Sequence, residues 1–262
     1  MSVSRGKFLK QLGKSIPGLV LGSGVAGAAQ TLLGKMAAAS GEMNPLPVAE
    51  KKAIAQEAKI AFIESGPTAG NQIALTFDDG PTPGVTDLIL DELARQQVKA
   101  TFFMIGEKVA AAPNLARRVL AEGHEVANHT FTHPRLTTLP DREVISEIEK
   151  TQEIIQEVLN HRPIWFRPPF GDLRQNQARL LADRGLGIVL LGVDTRDWAQ
   201  PSPDEIIGRA LAGTKAGSII LCHDLHPQTA ESVGPILEGL LEKGFHFVTL
   251  SPFLSSPASL SK

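Results

Sequence analysis

Two places in this sequence carry side chains that could bind one metal ion together. Asp78 and Asp79 follow the apolar run Ile73–Phe77, and His129 and His133 stand four residues apart further along the chain. One carboxylate and two histidines form a ligand set that leaves a coordination position open, as in catalytic zinc sites. Taken singly, the aspartates are also typical of an ordinary turn, and the histidines could be unrelated surface residues. Together they predict a site for a divalent metal.

Three later segments end in residue types that suit the same chemistry. Arg167 follows a short apolar run, where a cation could hold an adjacent carboxylate ionised. Asp194 ends another apolar run, and Trp198, four residues on, could form an apolar wall beside it. His223 ends a third. Because residue types that suit catalysis stand at the ends of five short runs that could be strands, the sequence predicts one shared site.

The elements that must position these residues follow a regular alternation from about residue 71. Short apolar runs predict strands at Ile73–Phe77, Ala100–Met104, Glu125–Asn128, Ile164–Phe166, Gly187–Val193, Ser218–Cys222 and Phe245–Leu250. Segments with helical spacing predict helices at Val85–Gln96, Pro113–Glu122, Arg142–Leu159, Gln175–Arg184, Pro203–Ala212 and Val233–Lys243. A further helix is predicted over residues 50–64.

This alternation indicates an α/β protein of about seven parallel strands covered by helices. The strands are short and mostly apolar, which favours a closed or nearly closed barrel over a doubly wound open sheet, and the open sheet stays as the alternative. In both architectures functional groups collect at the carboxyl ends of the strands. The sequence has no G-x-G-x-x-G motif after its first strand and no P-loop or G-x-S-x-G elbow, which argues against dinucleotide-binding and serine-hydrolase chemistry.

The charge distribution and the cysteine content exclude other classes. Residues 1–39 contain five Lys or Arg and no acidic residue, so the remainder of the chain has a clear excess of acidic side chains. An acidic body argues against nucleic acid as the main partner. Cys222 is the only cysteine, so neither an intrachain disulfide nor a multi-cysteine metal site can form.

The N-terminal segment has the order of a secretory signal. Met1–Lys14 is basic, Ser15–Gly34 is uncharged, and Ala37–Ala39 supplies small residues for cleavage. Ser4–Lys10 resembles a twin-arginine export motif, except that Gly6 replaces the second arginine. We therefore predict export to the periplasm, the cell surface or the medium. An uncleaved anchor, attached to the membrane through residues 15–34, is the alternative.

Five motifs in this order resemble the polysaccharide deacetylase family, also called the NodB-homology domain or carbohydrate esterase family 4. The motifs are TFDDG (76–80), HTFTH (129–133), RPPFG (167–171), DTRDW (194–198) and LCHD (221–224). The resemblance implies a distorted, incomplete (β/α) barrel that hydrolyses N-acetyl or O-acetyl groups on a sugar polymer. It covers about residues 71–254, the predicted deacetylase domain. The residues on either side predict a signal or anchor (1–39), a linker with an N-terminal helix (40–70) and a polar tail (255–262).

The resemblance also implies a role for each motif residue. The metal-binding residues are Asp79, His129 and His133, which would hold one divalent ion, with zinc favoured. The residues that act on protons are Asp78 as the base, Arg167 paired with it, His223 as the acid and Asp194 supporting that histidine. The residues that meet the acetyl group are Phe170, whose backbone N–H resembles an oxyanion donor, and Trp198 and Leu221, which resemble pocket walls. Many members carry Tyr where Phe170 stands, and the backbone donor is kept.

Two other functions stay open at this point. One is a related metal-dependent amidase that acts on a small amide or imide, although such relatives often lack part of the motif set. The other is a catalytically inactive homologue that only binds carbohydrate. The substrate is also open among peptidoglycan, chitin-type oligomers, acetylated xylan and other exopolysaccharides, and export favours a cell-envelope glycan.

Overall fold

Nine short strands form one sheet in residues 62–255, the part of the chain that the computed structural model describes. They are β1 (Phe62–Ile63), β2 (Gln72–Asp78), β3 (Thr101–Met104), β4 (Glu125–Asn128), β5 (Trp165–Phe166), β6 (Gly187–Val189), β7 (Val193–Asp194), β8 (Ile219–His223) and β9 (His246–Phe247). Their order is β1-β6-β5-β4-β3-β2-β8-β7, and β9 pairs with β2. Every pair of named strands is parallel, so their carboxyl ends meet at one rim.

Helices pack against this sheet. They are α1 (Thr86–Arg95), α2 (Gly106–Ala111), α3 (Pro113–Ala121), α4 (Asp141–Leu159), α5 (Gln175–Ala182), α6 (Pro203–Gly213), α7 (Pro227–Glu242) and α8 (Leu250–Leu254). The longest, α4, buries Val144, Ile148 and Ile155 at helical spacing. The main core lies between helices and strands and includes the stacked rings of Phe77 and Phe102, with centroids 5.0 Å apart. Within residues 62–255, none of the helices is long and apolar enough to cross a membrane.

The sheet curls until its two edges nearly meet. The sequence predicts one strand over Gly187–Val193, but the structure has two, β6 and β7. The prediction is therefore wrong for residues 190–192, which lie between them. Leu190 N donates to Ile63 O of β1 (2.7 Å), whereas Gly192 N donates to Ile219 O of β8 (2.9 Å). The three residues between β6 and β7 therefore cross from one edge of the sheet to the other. A side chain at Gly192 would not fit there, since a Cβ would lie 2.8 Å from a backbone oxygen of β1's neighbour Glu64.

The predicted α/β class, the parallel strands and the incomplete barrel are confirmed, and the doubly wound alternative is not. The structure adds helices α2 and α8, which were not predicted. Phe62–Ile63, at the end of the helix predicted over residues 50–64, is a strand instead. The rest of that helix, the predicted signal segment and the tail after Ser255 lie outside the described residues. The last predicted strand is shorter than expected, because its end belongs to α8.

The short helix α8 closes the end of the barrel opposite the rim. The carboxylate of Glu125, at the start of β4, accepts hydrogen bonds from Ser251 N (3.0 Å), Ser251 Oγ and Thr101 Oγ1 (3.2 Å). Trp165 Nε1, at the start of β5, donates to Ser251 Oγ (3.0 Å). Phe253 is fully buried against Gly66. The starts of three neighbouring strands are thus tied together by one C-terminal segment.

Candidate active site

Asp79, His129 and His133 form one cluster at the rim. Asp79 Oδ1 lies 3.3 Å from His129 Nε2 and 3.2 Å from His133 Nε2, and the potential ligand atoms all lie within 4.8 Å of one another. Asp79 Oδ1 is buried and has no hydrogen-bond partner among the described residues. A buried carboxylate oxygen that faces two imidazole nitrogens in this way fits a divalent cation between them.

The orientation of His129 is fixed by a neighbouring strand. His129 directly follows β4, and its Nδ1 lies 2.7 Å from the backbone oxygen of Arg167. A carbonyl oxygen only accepts hydrogen bonds, so Nδ1 carries the proton in the neutral ring. The lone pair of Nε2 is then directed at the cluster, which is the tautomer that a metal ligand needs.

The loop that carries His133 is held from the adjacent helix α4. One carboxylate oxygen of Glu147 accepts hydrogen bonds from the backbone N–H groups of Phe131 (2.9 Å) and Thr132 (2.8 Å). His133 has a left-handed backbone (φ 59°), and its N–H donates to Thr130 Oγ1 (3.1 Å). A non-glycine residue holds this conformation only where its surroundings impose it.

The ionisation states of the cluster suit metal binding. Burial lowers the pKa of His133 to about 4, although the negative charge of Asp79 opposes this. Burial also raises the pKa of Asp79, but the interactions of its carboxylate with the nearby His129 and His133 outweigh it and bring that pKa well below its usual range. At neutral pH the cluster therefore offers a neutral imidazole and an ionised carboxylate.

Asp78 and Arg167 form a buried ion pair beside this cluster. Arg167 Nη1 lies 2.6 Å from Asp78 Oδ1, and both side chains are almost fully buried. The guanidinium is held by Thr76 Oγ1 (2.9 Å) and by the backbone oxygen of Leu190 (3.0 Å), so the crossing between β6 and β7 helps to position it. The contact expected between these two residues is present. The other oxygen of Asp78 lies 3.7 Å from His129 Nε2, facing the cluster.

His223, at the end of β8, is paired with Asp197. Its Nδ1 lies 2.8 Å from Asp197 Oδ1, and its backbone N–H donates to Asp197 Oδ2 (2.7 Å). Thr229 Oγ1 of α7 also donates to Asp197 Oδ2 (2.7 Å). Burial alone would lower the pKa of His223, but the charge and hydrogen bond of Asp197 outweigh burial and raise it to about 10.

The prediction that Asp194 supports His223 is wrong. Asp194 Oδ1 accepts the N–H of Arg196 (2.8 Å) within its own turn. Arg196 has a left-handed backbone, and it starts the 3-10 turn Asp197–Ala199 that brings Asp197 to the histidine. Asp197 is the second acidic residue of the DTRDW motif, so the motif does contain the partner of His223. The conformation of the turn decides which of the two aspartates points toward that histidine.

Phe170, Trp198 and Leu221 lie at or near the same rim. Phe170 also has a left-handed backbone, and its ring centroid lies 4.8 Å from that of His133. Trp198 stands in the turn beside Asp197, and its buried Nε1 has no hydrogen-bond partner among the described residues. Leu221 lies two residues before His223 in β8, so both side chains share one face of the strand. Their contact with substrate stays a prediction.

A parallel barrel with an Asp–His–His cluster, flanked by an Asp–Arg pair and an Asp–His pair, is an arrangement typical of metal-dependent hydrolases. Residues 65–189 match the family described as polysaccharide deacetylase. A peptidoglycan-N-acetylglucosamine deacetylase of Bacillus cereus is 39% identical over 196 residues, which cover 73% of this chain and 71% of the relative. The chain therefore belongs to the polysaccharide deacetylase family.

Two further comparisons agree with this assignment. A peptidoglycan-N-acetylglucosamine deacetylase of Listeria monocytogenes is 37% identical over 212 residues, which cover 81% of this chain but only 45% of that longer relative. The crystal structure of the Bc1960 peptidoglycan N-acetylglucosamine deacetylase superposes with a TM-score of 0.73 at 37% identity, and the match covers 76% of this chain and 95% of that one.

Proposed function

We propose that this protein is a zinc-dependent deacetylase that removes N-acetyl groups from N-acetylhexosamine units of a cell-envelope glycan, with peptidoglycan as the favoured substrate. The observation that carries the proposal is the Asp79–His129–His133 cluster, whose orphaned carboxylate oxygen fits a divalent ion. A bound divalent ion would supply Lewis-acid chemistry, polarising the acetyl carbonyl and making the attacking water more acidic. The remaining roles belong to the side chains around it.

Asp78 is the proposed base. One of its oxygens is held by Arg167, which leaves the other, on the side of the cluster, to accept the proton of the attacking water. The backbone N–H of Phe170 would donate a hydrogen bond to the oxygen on which negative charge develops. The hydrogen bonds of its 3-10 turn use the N–H groups of Gly171 and Asp172, so the turn does not engage that of Phe170.

His223 is the proposed acid. Its Nδ1 is bonded to Asp197, so the proton available for transfer is on Nε2. Expulsion of an amine requires a proton, and the raised pKa of His223 keeps the imidazolium form populated. Trp198 and Leu221 are the proposed apolar walls for the acetyl methyl group.

The substrate proposal rests on the relatives and on the N-terminal segment. Both relatives reported above are named for the deacetylation of peptidoglycan N-acetylglucosamine. The basic start and small-residue site of residues 1–39 predict export, with cleavage near Ala39. N-terminal sequencing of the exported protein tests this, and a start at Met1 in a membrane fraction would favour the anchor.

Acetate release from a panel of glycans, with and without a chelator, tests the function. The panel is peptidoglycan, chitin-type oligomers and acetylated xylan, and ring opening of a small cyclic imide is measured beside it. We expect chelator-sensitive release from peptidoglycan and one zinc per chain. Turnover of the imide alone would favour the small-amide amidase, and glycan binding without acetate release would favour the inactive homologue.

A further inference from the structure

The left-handed backbone of Phe170 (φ 60°, ψ 11°) needs support, because an L residue other than glycine is strained there. Its side chain touches two others. The Phe170 ring lies 4.8 Å from the His133 ring, and the guanidinium carbon of Arg135 lies 4.6 Å from the centroid of the Phe170 ring. The Phe170 ring therefore contacts both His133 of the metal cluster and the cation of Arg135, two residues further along the same loop.

Arg135 is itself fixed by the loop that contains Phe170. Its Nη1 lies 3.0 Å from Asp172 Oδ2, and the same oxygen accepts a hydrogen bond from Thr137 Oγ1 (2.6 Å). Arg135 follows His133 by two residues, and Asp172 follows Phe170 by two. The ion pair thus links the two loops that present the metal cluster and the Phe170 N–H.

We propose that Arg135 and Asp172 are positioning residues that hold the Phe170 N–H in the orientation required of an oxyanion donor. This rests on the proposed function of that N–H. A planar guanidinium can stack on an aromatic ring and bond a carboxylate at the same time, whereas a lysine ammonium has no plane with which to stack. Neither Arg135 nor Asp172 needs to touch the metal or the substrate to have this effect.

An ordinary surface ion pair would have different consequences. The Arg135 side chain is 35% exposed, and pairs of this kind contribute little to stability. A purely structural pair would also act independently of the Phe170 ring. The positioning role instead requires that the effect of changing Arg135 disappears when the ring is absent.

A double-mutant cycle of Arg135→Ala and Phe170→Gly on the zinc-loaded full chain tests this. Glycine adopts the left-handed conformation without strain and keeps the N–H, but it offers no ring to Arg135. In the parent we expect Arg135→Ala to lower kcat for acetate release roughly 10-fold, less than the loss of a whole oxyanion donor, with KM and zinc content unchanged. In the Phe170→Gly background the same change should cost less than about 2-fold, since the coupled partner is gone.

Arg162→Ala is the matched control, because Arg162 also forms a solvent-exposed ion pair, with Glu149, and should leave kcat unchanged. Arg135→Lys should recover only part of the activity. An equal loss in both backgrounds, or a change in KM alone, would overturn the positioning role.

A second measurement does not depend on activity. In protein labelled with 15N at its 11 phenylalanines, the Phe170 amide signal is the one that Phe170→Gly removes. We expect Arg135→Ala to shift or broaden that signal and Arg162→Ala to leave it in place. An unmoved signal contradicts the positioning role even if no glycan yields acetate, whereas absent acetate release from the parent counts against the proposed function alone.

Discussion

The metal half of the site, Asp79, His129 and His133, and its acid half, His223 and Asp197, are built in different ways. In the metal half, Asp79 and His129 come directly after strands β2 and β4, so the direction of each strand places its ligand at the rim. In the acid half, His223 ends β8, but its partner Asp197 lies three residues beyond the end of β7. Side chains at strand ends are placed by the sheet, whereas those beyond them depend on how the turn is made.

The largest expected effect comes from removing a ligand in the metal half. His129→Ala should abolish zinc binding and acetate release while the barrel stays folded, because one ligand at the rim contributes little to the core. Zinc content, acetate release and circular dichroism measure this. Full activity with one zinc per chain would show that His129 does not belong to the metal half.

A change in the acid half should separate chemistry from metal binding. His223→Ala should lower kcat by roughly 10²–10⁴, the contribution of a positioned general acid, with zinc retained. Steady-state kinetics and metal analysis of the same preparation check this. Simultaneous loss of zinc would mean that the two halves are not independent.

The two aspartates of the DTRDW motif provide the sharpest test within the acid half. Asp197 raises the pKa of His223, so an imidazolium without that carboxylate loses its proton more easily. Asp197→Asn should therefore move the basic limb of the kcat/KM profile to lower pH by about 1–3 units. Asp194→Asn is the matched control and should leave that limb in place. The reverse result would restore Asp194 as the partner.

The smallest expected effect on catalysis comes from the support of the metal half. Glu147→Ala removes the acceptor for two backbone N–H groups in the His133 loop. Zinc affinity should fall roughly 10–100-fold, as is usual for residues that orient a ligand. At saturating zinc kcat should be nearly unchanged. Competition with a chromogenic chelator measures the affinity, and a large loss of kcat at saturating zinc would contradict a purely supporting role.

The sequence predicts side chains at strand ends more completely than the contacts made beyond those ends, for a physical reason. Alternating strands and helices place residues such as His129 and His223 at one rim without any knowledge of loop geometry. By contrast, the partner of His223 depends on the left-handed residue Arg196, and the support of Arg167 depends on the break at Leu190. Both are conformations of a few loop residues, which propensity and periodicity do not specify.

The cap formed by α8 bears on when the protein can fold. Leu250–Leu254 follows all nine described strands along the chain, yet it satisfies groups at the starts of β3, β4 and β5. Pairing of β2 with β8 likewise joins segments about half a chain apart. Contacts between distant segments make folding slow. The barrel therefore cannot be completed until the segment that forms α8 is available to dock, however early its strands pair.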